Sequence, residues 1–176
     1  MPSTTTAIHR QRQPLCPMDE LLAVLRKNAL QSPADLAVQL GLSEGDVQAK
    51  IADYERRGII RGYHAVINEE PLDVDHVNAV IEVKVTPERS GGFNRIAERI
   101  SRFDEVKHLY LMSGSYDLLL FVTAPSLKEV GAFVSEKLST LDHVLSTSTH
   151  FMLKTYKEQG FLMESHDDHQ RLQVSP

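Results

Sequence analysis

The sequence predicts an α+β protein of two parts, a helical N-terminal third followed by strands and helices in alternation. Residues 18–67 carry apolar side chains at helical spacing, separated by residues that cap helices or form turns. Residues 77–157 contain two copies of a strand–helix–strand pattern, in which Thr86-Pro87 and Ala124-Pro125 occupy equivalent positions. These two patterns predict two units with different architectures.

The composition excludes several classes of protein. The chain has 176 residues, 41% hydrophobic and 24% charged, with a formal net charge of -5. These values are typical of a globular protein and exclude a large multidomain enzyme. The apolar run at residues 118–122 is far shorter than the about 20 residues of a membrane-spanning helix, and the N-terminus lacks the apolar core of a signal peptide. With Cys16 as the only cysteine, we expect a cytoplasmic protein.

The charge is unevenly distributed along the chain. Residues 1–67 hold eight Lys/Arg and seven Asp/Glu, whereas residues 68–176 hold eleven and seventeen. A generic polyanion binder is therefore not expected, while a local nucleic-acid site in the N-terminal third is compatible with the sequence. Arg10 and Arg12 give residues 1–17 the composition of a flexible basic tail with no acidic residue.

The two copies in the second part predict one particular sheet. Their strands are expected over residues 79–85, 116–123 and 144–153, with a further strand between the copies. The helices of the two copies carry apolar stripes formed by Phe93, Ile96, Ala97, Ile100 and by Leu127, Val130, Val134, Leu138, Leu141. Two such units with right-handed crossovers form a four-stranded antiparallel sheet with both helices on one face, the ferredoxin-like βαββαβ sandwich.

The sheet face without helices is predicted to be covered. Residues 118–122, Leu-Leu-Leu-Phe-Val, are apolar on both faces of their strand, and the chain has no spare helix to cover the second face. We therefore expect a homodimer whose sheets pack face to face. The alternative is that the N-terminal part folds back over the sheet.

The N-terminal third predicts three short helices and a hairpin. The first helix spans residues 18–28, and the second begins at Ser32-Pro33, a helix cap followed by proline at the first helical position. Gly41-Leu42-Ser43 forms a tight turn in which Gly41 tolerates a positive φ, Leu42 is expected to enter the core and Ser43 caps the third helix. The third helix ends at Gly58. Because so short a turn joins the second and third helices, they make a helix-turn-helix. Residues 59–67 have the pattern of a hairpin wing; a three-helix module that packs against proteins is the alternative.

These segments carry a family resemblance. The stretches DLAVQLGLSEGDVQAKIADYERRGIIRGYHAVIN, VNAVIEVKVTP and HLYLMSGSYDLLLFV resemble the leucine-responsive/asparagine-type (Lrp/AsnC) transcription regulators. The resemblance implies a winged helix-turn-helix over 18–67, a linker over 68–76, a ligand-sensing and oligomerising domain over 77–157 and a C-terminal tail over 158–176. It also implies dimers that assemble into tetramers or octamers and bind an amino acid or related metabolite between dimers.

The resemblance extends to a turn in the second part. Gly114-Ser115-Tyr116-Asp117 matches the family's Gly-x-x-Asp segment, and the positions of Thr147 and Thr149 match strand residues that line the effector pocket. Met112 and Tyr116 near the turn point only vaguely to an apolar effector side chain. From the residues alone, the Asp117 carboxylate heads an apolar strand and needs a partner, which could be a ligand ammonium or backbone N–H groups of the turn.

The helix predicted to read double-stranded DNA is acidic. Between Ser43 and Gly58 it holds three basic and four acidic residues, and family members more often carry basic residues at Ala52 and Asp53. The predicted DNA-binding residues are Ser43, Gln48, Lys50, Arg56, Arg57 and Arg61. We expect one dimer to bind weakly and oligomers to gain occupancy by engaging several half-sites. The alternative is an oligomeric metabolite sensor with weak or lost DNA binding.

Other functions are not favoured. The predicted third strand lacks the aromatic and basic pattern of RNA-recognition domains. Siroheme decarboxylases resemble this two-part architecture, but the chain has no Trp where we associate an Asn-x-Trp strand with them. His166 and His169 form the sole histidine cluster, in a polar segment, and no Gly-rich phosphate loop or nucleophile motif is present. No catalysis, cofactor or metal is therefore expected.

Overall fold

The structure, a computed structural model, describes residues 19–72, 74–87 and 92–163. These residues separate into two compact units that divide between Ala65 and Val66. No helix within the described ranges is long and apolar enough to cross a membrane. The predicted basic tail over 1–17, Cys16 and the His166/His169 cluster lie outside the described residues.

The first unit contains the predicted helices, α1 (Glu20–Lys27), α2 (Pro33–Leu40) and α3 (Glu44–Arg56). Each begins at a side chain that accepts a hydrogen bond from a backbone N–H in the first turn, and these caps are Asp19, Ser32 and Ser43. Such caps satisfy helix N–H groups that have no intrahelical partner. Pro33 occupies the first turn of α2, as predicted.

The turn between α2 and α3 depends on Gly41. Its φ of 64° and ψ of 33° lie in the left-handed region, which ends α2. Leu42 is 36% exposed and therefore does not enter the core as predicted. The core of this unit comes from all three helices and consists of Leu21, Leu25, Leu36, Ala37, Val47 and Tyr54.

The segment after α3 differs from the predicted hairpin. Residues 59–67 contain no paired strand in the structure. Gly58 has a φ of 67°, and the N–H groups of Ile59 and Ile60 both donate to the carbonyl of Tyr54 at the end of α3. These donors are therefore committed to the helix end, and a lone two-stranded hairpin is only marginally stable in water.

The second unit has the predicted order of strands and helices. It comprises β1 (Val77–Val85), α4 (Asn94–Ile100), β2 (Val106–Leu111), β3 (Leu118–Ala124), α5 (Leu127–Ala132) and β4 (Val144–Phe151), and α5 continues as a π-helix over Phe133–Leu138. The strands form a sheet of order β2-β3-β1-β4 in which every pairing is antiparallel. This is the ferredoxin-like βαββαβ arrangement.

Alternate residues of the central strands build the core of the second unit. Ile81 and Val83 of β1 and Leu118 and Leu120 of β3 are fully buried, and Phe133 and Leu138 of the π-helix pack into the same cluster. The intervening residues of β3, Leu119 and Phe121 among them, are only partly buried. The sheet therefore has one closed face and one face that this unit leaves partly open.

A short C-terminal hairpin begins at the last residue of the predicted sensing domain and extends into the segment predicted as a tail from residue 158. β5 (Lys157–Glu158) pairs with β6 (Phe161–Leu162) across Gln159-Gly160, both at positive φ, which suits a tight hairpin turn. Met163 is 6% exposed, and its carbonyl accepts a hydrogen bond from the Asn68 side chain at 2.6 Å. The predicted linker and the start of the predicted tail are therefore in contact.

Candidate functional site

The start of α3 holds two of the predicted DNA-binding residues, and both have local partners. Ser43 Oγ accepts from the Asp46 N–H at 3.1 Å and donates to the Asp46 carboxylate at 2.6 Å. Gln48 donates to Glu44 at 3.2 Å, one turn away. The first turn of the helix therefore presents exposed carboxylates beside its N–H groups. These carboxylates stabilise the helix by interacting with the positive end of its dipole.

Lys50 is tied to the first helix. Its Nζ lies 3.2 Å from Asp19 Oδ2, and the hydroxyl of Tyr54 donates to the same oxygen at 2.5 Å. The hydrogen bond from Tyr54, then that from the Leu21 N–H, hold the pKa of Asp19 below its ordinary value. Burial and the hydrogen bond to Asp19 raise the pKa of Tyr54 to about 12. This network joins α3 to the cap of α1.

Near the end of α3, the carboxylate of Asp53 pairs with two arginines. Asp53 accepts from Arg57 Nη1 at 3.0 Å through Oδ2 and from Arg56 through Oδ1. The hydrogen bond from Arg57 is the main cause that lowers the pKa of Asp53. Arg61 lies over Gly58, where an added Cβ would be 2.9 Å from the guanidinium carbon. Lys50, Arg56 and Arg57 are therefore each paired with a carboxylate of their own unit.

The predicted effector turn is anchored to β1. The Asp117 N–H donates to the carbonyl of Val83 at 3.0 Å, and the Met112 N–H donates to the carbonyl of Asp117 at 2.8 Å. Asp117 Oδ2 accepts from the Val85 N–H at 2.9 Å. The carboxylate thus binds the backbone of the neighbouring strand. Gly114 has open space where a side chain would project.

The structure places Thr147 near this turn. Thr147 pairs with Val83 across β1 and β4, and Thr149 pairs with Ile81 one step further along. Because Asp117 binds Val83 from the other side, Asp117 and Thr147 lie about two strand spacings, or about 10 Å, apart. Both threonines and Tyr116 are half-buried, while Met112 is 38% exposed. Met112, Asp117 and Thr147 therefore lie near the same end of the sheet, and Thr149 lies two residues further along β4.

The open face of the sheet carries an aromatic cluster that the sequence did not reveal. His108, Tyr110 and Phe121 make mutual ring contacts with centroids 5.6 to 6.2 Å apart. Beside them His150 Nε2 lies 3.4 Å from Glu82 Oε1. These residues come from all four strands of this sheet, so their proximity depends on the register of the sheet. Their alternation along each strand was the signal available in the sequence.

No group of three or more His, Cys, Asp or Glu side chains within the described ranges could hold a metal ion. A shallow groove of about 280 Å³ lies between α4 and β2, and its lining residues are Asn94, Ala97, Glu98, Ser101, Leu109 and Leu111. This groove does not include any of the predicted effector residues.

A helix-turn-helix unit followed by a ferredoxin-like unit is the architecture of a two-part class of DNA-binding regulators. The family model described as "Lrp/AsnC ligand binding domain" matches residues 78–162, and that described as "Winged helix-turn-helix DNA-binding" matches residues 20–61. The chain is 44% identical over 158 residues to the uncharacterized HTH-type transcriptional regulator YugG of Bacillus subtilis, covering 89% of this chain and 95% of YugG. The chain belongs to the Lrp/AsnC family of transcriptional regulators.

A second relative supports this assignment, and a solved structure shares the fold. The chain is 32% identical over 140 residues to the proline dehydrogenase transcriptional activator of Rhodobacter capsulatus, covering 80% of this chain and 90% of that protein. A transcriptional regulator of Neisseria meningitidis, solved as a complex with L-Met, shares the fold with a TM-score of 0.60 at 24% identity, covering 79% of this chain and 89% of that one. The resemblance to the family found in the sequence is confirmed.

Proposed function

We propose that this transcriptional regulator senses an amino acid or a related small metabolite at the end of its sheet, around Asp117. The observation that carries the proposal is the Asp117 carboxylate, half-buried beside the open Gly114 turn and near Thr147. One hydrogen bond from Val85 uses only part of the acceptor capacity of a carboxylate. A ligand ammonium can therefore bind Asp117 while the Val85 contact is kept.

The remaining predicted effector residues take complementary roles in this proposal. The hydroxyls of Thr147 and Thr149 would bind the polar end of the effector, and Met112 and Tyr116 would contact its side chain. Binding of L-Met by the Neisseria regulator of the same fold supports an amino acid as the ligand class. Effector binding would then favour one oligomeric arrangement, which requires different affinities for two states.

Molar mass by light scattering, with and without a panel of L-amino acids, tests the effector site. We expect one amino acid to shift the assembly of the unaltered protein, and Asp117→Asn to abolish the shift. Asparagine keeps an acceptor for the Val85 N–H but lacks the charge that binds an ammonium. A shift that persists in Asp117→Asn would overturn the proposed role of Asp117.

We also propose a homodimer that assembles into tetramers or octamers. The open sheet face carries Val80 and Leu119 in partly exposed positions, opposite Phe121 and Tyr110 of the aromatic cluster in the strand register. Apolar surface of this kind gains free energy when it is removed from water. A second copy presenting the same face would cover it by two-fold symmetry.

We propose that Ser43, Gln48, Lys50, Arg56, Arg57 and Arg61 contact double-stranded DNA. Since Lys50, Arg56 and Arg57 are paired with carboxylates of their own unit, a single dimer would bind weakly. Binding to a duplex should be saturable at low salt, and log affinity should fall with log salt by about 0.9 per phosphate neutralised. A flat salt dependence would contradict phosphate contacts.

The same ion pairs favour a second candidate, an oligomeric metabolite sensor whose helix-turn-helix has weak or lost DNA affinity. This candidate predicts an assembly whose molar mass responds to an amino acid, together with no saturable DNA binding. We place either form in the cytoplasm and assign it no catalytic activity, in keeping with the regulator names of its relatives. An absorption shift on adding siroheme would instead favour the decarboxylase alternative.

A further inference from the structure

Asp53 contacts two of the proposed DNA-contacting side chains at once. Its carboxylate bridges Arg56 and Arg57, which lie three and four positions further along and so on the same side of α3. Each of its oxygens accepts from a different guanidinium. The arginine side chains are 75% and 59% exposed, so solvent and other anions can reach them.

This geometry makes the carboxylate an internal competitor for phosphate. A guanidinium that is paired with Asp53 offers fewer donors to DNA, and releasing it exposes an uncompensated carboxylate near the duplex. Asp53 is ionised at neutral pH, because its pKa lies below an ordinary value that is already about 4. The competition therefore operates under physiological conditions.

We propose that Asp53 is a positioning residue that restrains DNA affinity by holding Arg56 and Arg57 away from phosphate. The proposal depends on the contact role proposed above for these two arginines. It predicts that the weak binding of this helix-turn-helix is set by one replaceable carboxylate and not by a lack of cations.

The test compares Asp53→Asn with the unaltered full-length protein on a duplex selected from a random-sequence pool. We expect affinity at low salt to rise about three- to tenfold, because two exposed ion pairs no longer compete. The salt dependence should also become steeper, by up to about 1.8 in the log–log slope, because two more cations reach phosphates. Asp53→Glu, which can still pair with an arginine, should stay close to the unaltered protein.

The same substitution in an Arg56→Gln/Arg57→Gln background separates the possible mechanisms. If Asp53 acts through the arginines, Asp53→Asn has no effect there. If it repels the duplex directly, the gain in affinity persists in this background and the proposal is overturned. Glu20→Gln removes the same charge from the start of α1, away from both arginines, and should leave the salt slope unchanged. Far-UV circular dichroism verifies that each variant is folded.

The contact role of the two arginines and the restraining role of Asp53 predict different outcomes. A loss of affinity in Arg56→Gln/Arg57→Gln without any gain in Asp53→Asn would overturn the role of Asp53 and keep the arginine contacts. Unchanged binding in Arg56→Gln/Arg57→Gln would overturn the contact role itself, and the inference with it.

Discussion

The carboxylate of Asp117 accepts a hydrogen bond from the backbone N–H of Val85 at 2.9 Å. The register of β1 against β4 shifts between Lys84 and Val85, where the ladder of hydrogen bonds is interrupted. Asp117 satisfies a donor at this irregular point and connects the turn before β3 to the end of β1. The residue that we propose to bind the effector therefore already has a structural role.

This double role predicts different consequences for two substitutions. Asp117→Ala should lower the free energy of unfolding by about 1 to 3 kcal/mol, because the Val85 N–H loses its partner. Asp117→Asn should cost less than half as much, since its amide oxygen can still accept. Urea unfolding measures both, with Asp142→Asn, an exposed acid elsewhere in the same unit, as the control. Equal stability of Asp117→Ala and the unaltered protein would show that the contact is not important.

Tyr54 and Asp19 predict how stability of the first unit depends on pH. The lowered pKa of Asp19 means that its contribution is present above about pH 4 and is lost as pH falls below that value. The pKa of Tyr54, raised to about 12, means that its contribution is complete below about pH 10 and is lost as pH rises toward 12. Tyr54→Phe should reduce the loss of stability of the first unit both at low pH and at high pH.

Thermal unfolding midpoints across the pH range measure this effect. Tyr54→Phe removes the hydroxyl that donates to Asp19 and should lower stability at neutral pH by about 1 kcal/mol. Tyr156→Phe, which removes an exposed hydroxyl in the second unit, is the matched control. Parallel pH profiles for Tyr54→Phe and the unaltered protein would contradict the coupling of these two groups.

Two glycines of the helix-turn-helix should respond to alanine in opposite directions. Gly41 has open space around it but a φ of 64°, so Gly41→Ala should cost about 1 to 2 kcal/mol through backbone strain alone. Gly45 lies within α3, so Gly45→Ala should stabilise by up to about 1 kcal/mol through helix propensity. Chemical denaturation distinguishes the signs, and a stabilising Gly41→Ala would show that the turn is not maintained in solution.

The proposed dimer predicts a charge-sensitive sheet face. Phe121→Glu would place a carboxylate at the centre of the covered surface, where an unpaired charge is costly, and should produce monomers at micromolar concentration. Leu127→Glu introduces the same charge at an exposed position of α5 and should leave the assembly unchanged. Analytical ultracentrifugation measures both. A dimer that persists in Phe121→Glu would exclude this face as the interface.

Features that depend on neighbouring residues were predicted from the sequence. The caps Ser32 and Ser43 and the left-handed Gly41 involve groups only a few positions away, so their residue types indicate the conformation directly. Alternation of apolar residues likewise predicted the strands of the sheet and, with the crossover rule, their arrangement. The hairpin predicted over residues 59–67 shows the limit, because both the helix end and a partner strand compete for the same donors.

Side-chain partners were decided by tertiary structure. Asp117 meets Val85 across 32 positions, Lys50 meets Asp19 across 31, and Asn68 meets Met163 across 95. A side chain's type shows that it needs a partner, but which partner lies within hydrogen-bond distance depends on strand register and helix packing. The sequence by itself determined the two units, their family and the order of their elements. Only the folded chain determined that Asp19 pairs with Lys50 of α3, and that Asp117 binds the end of β1.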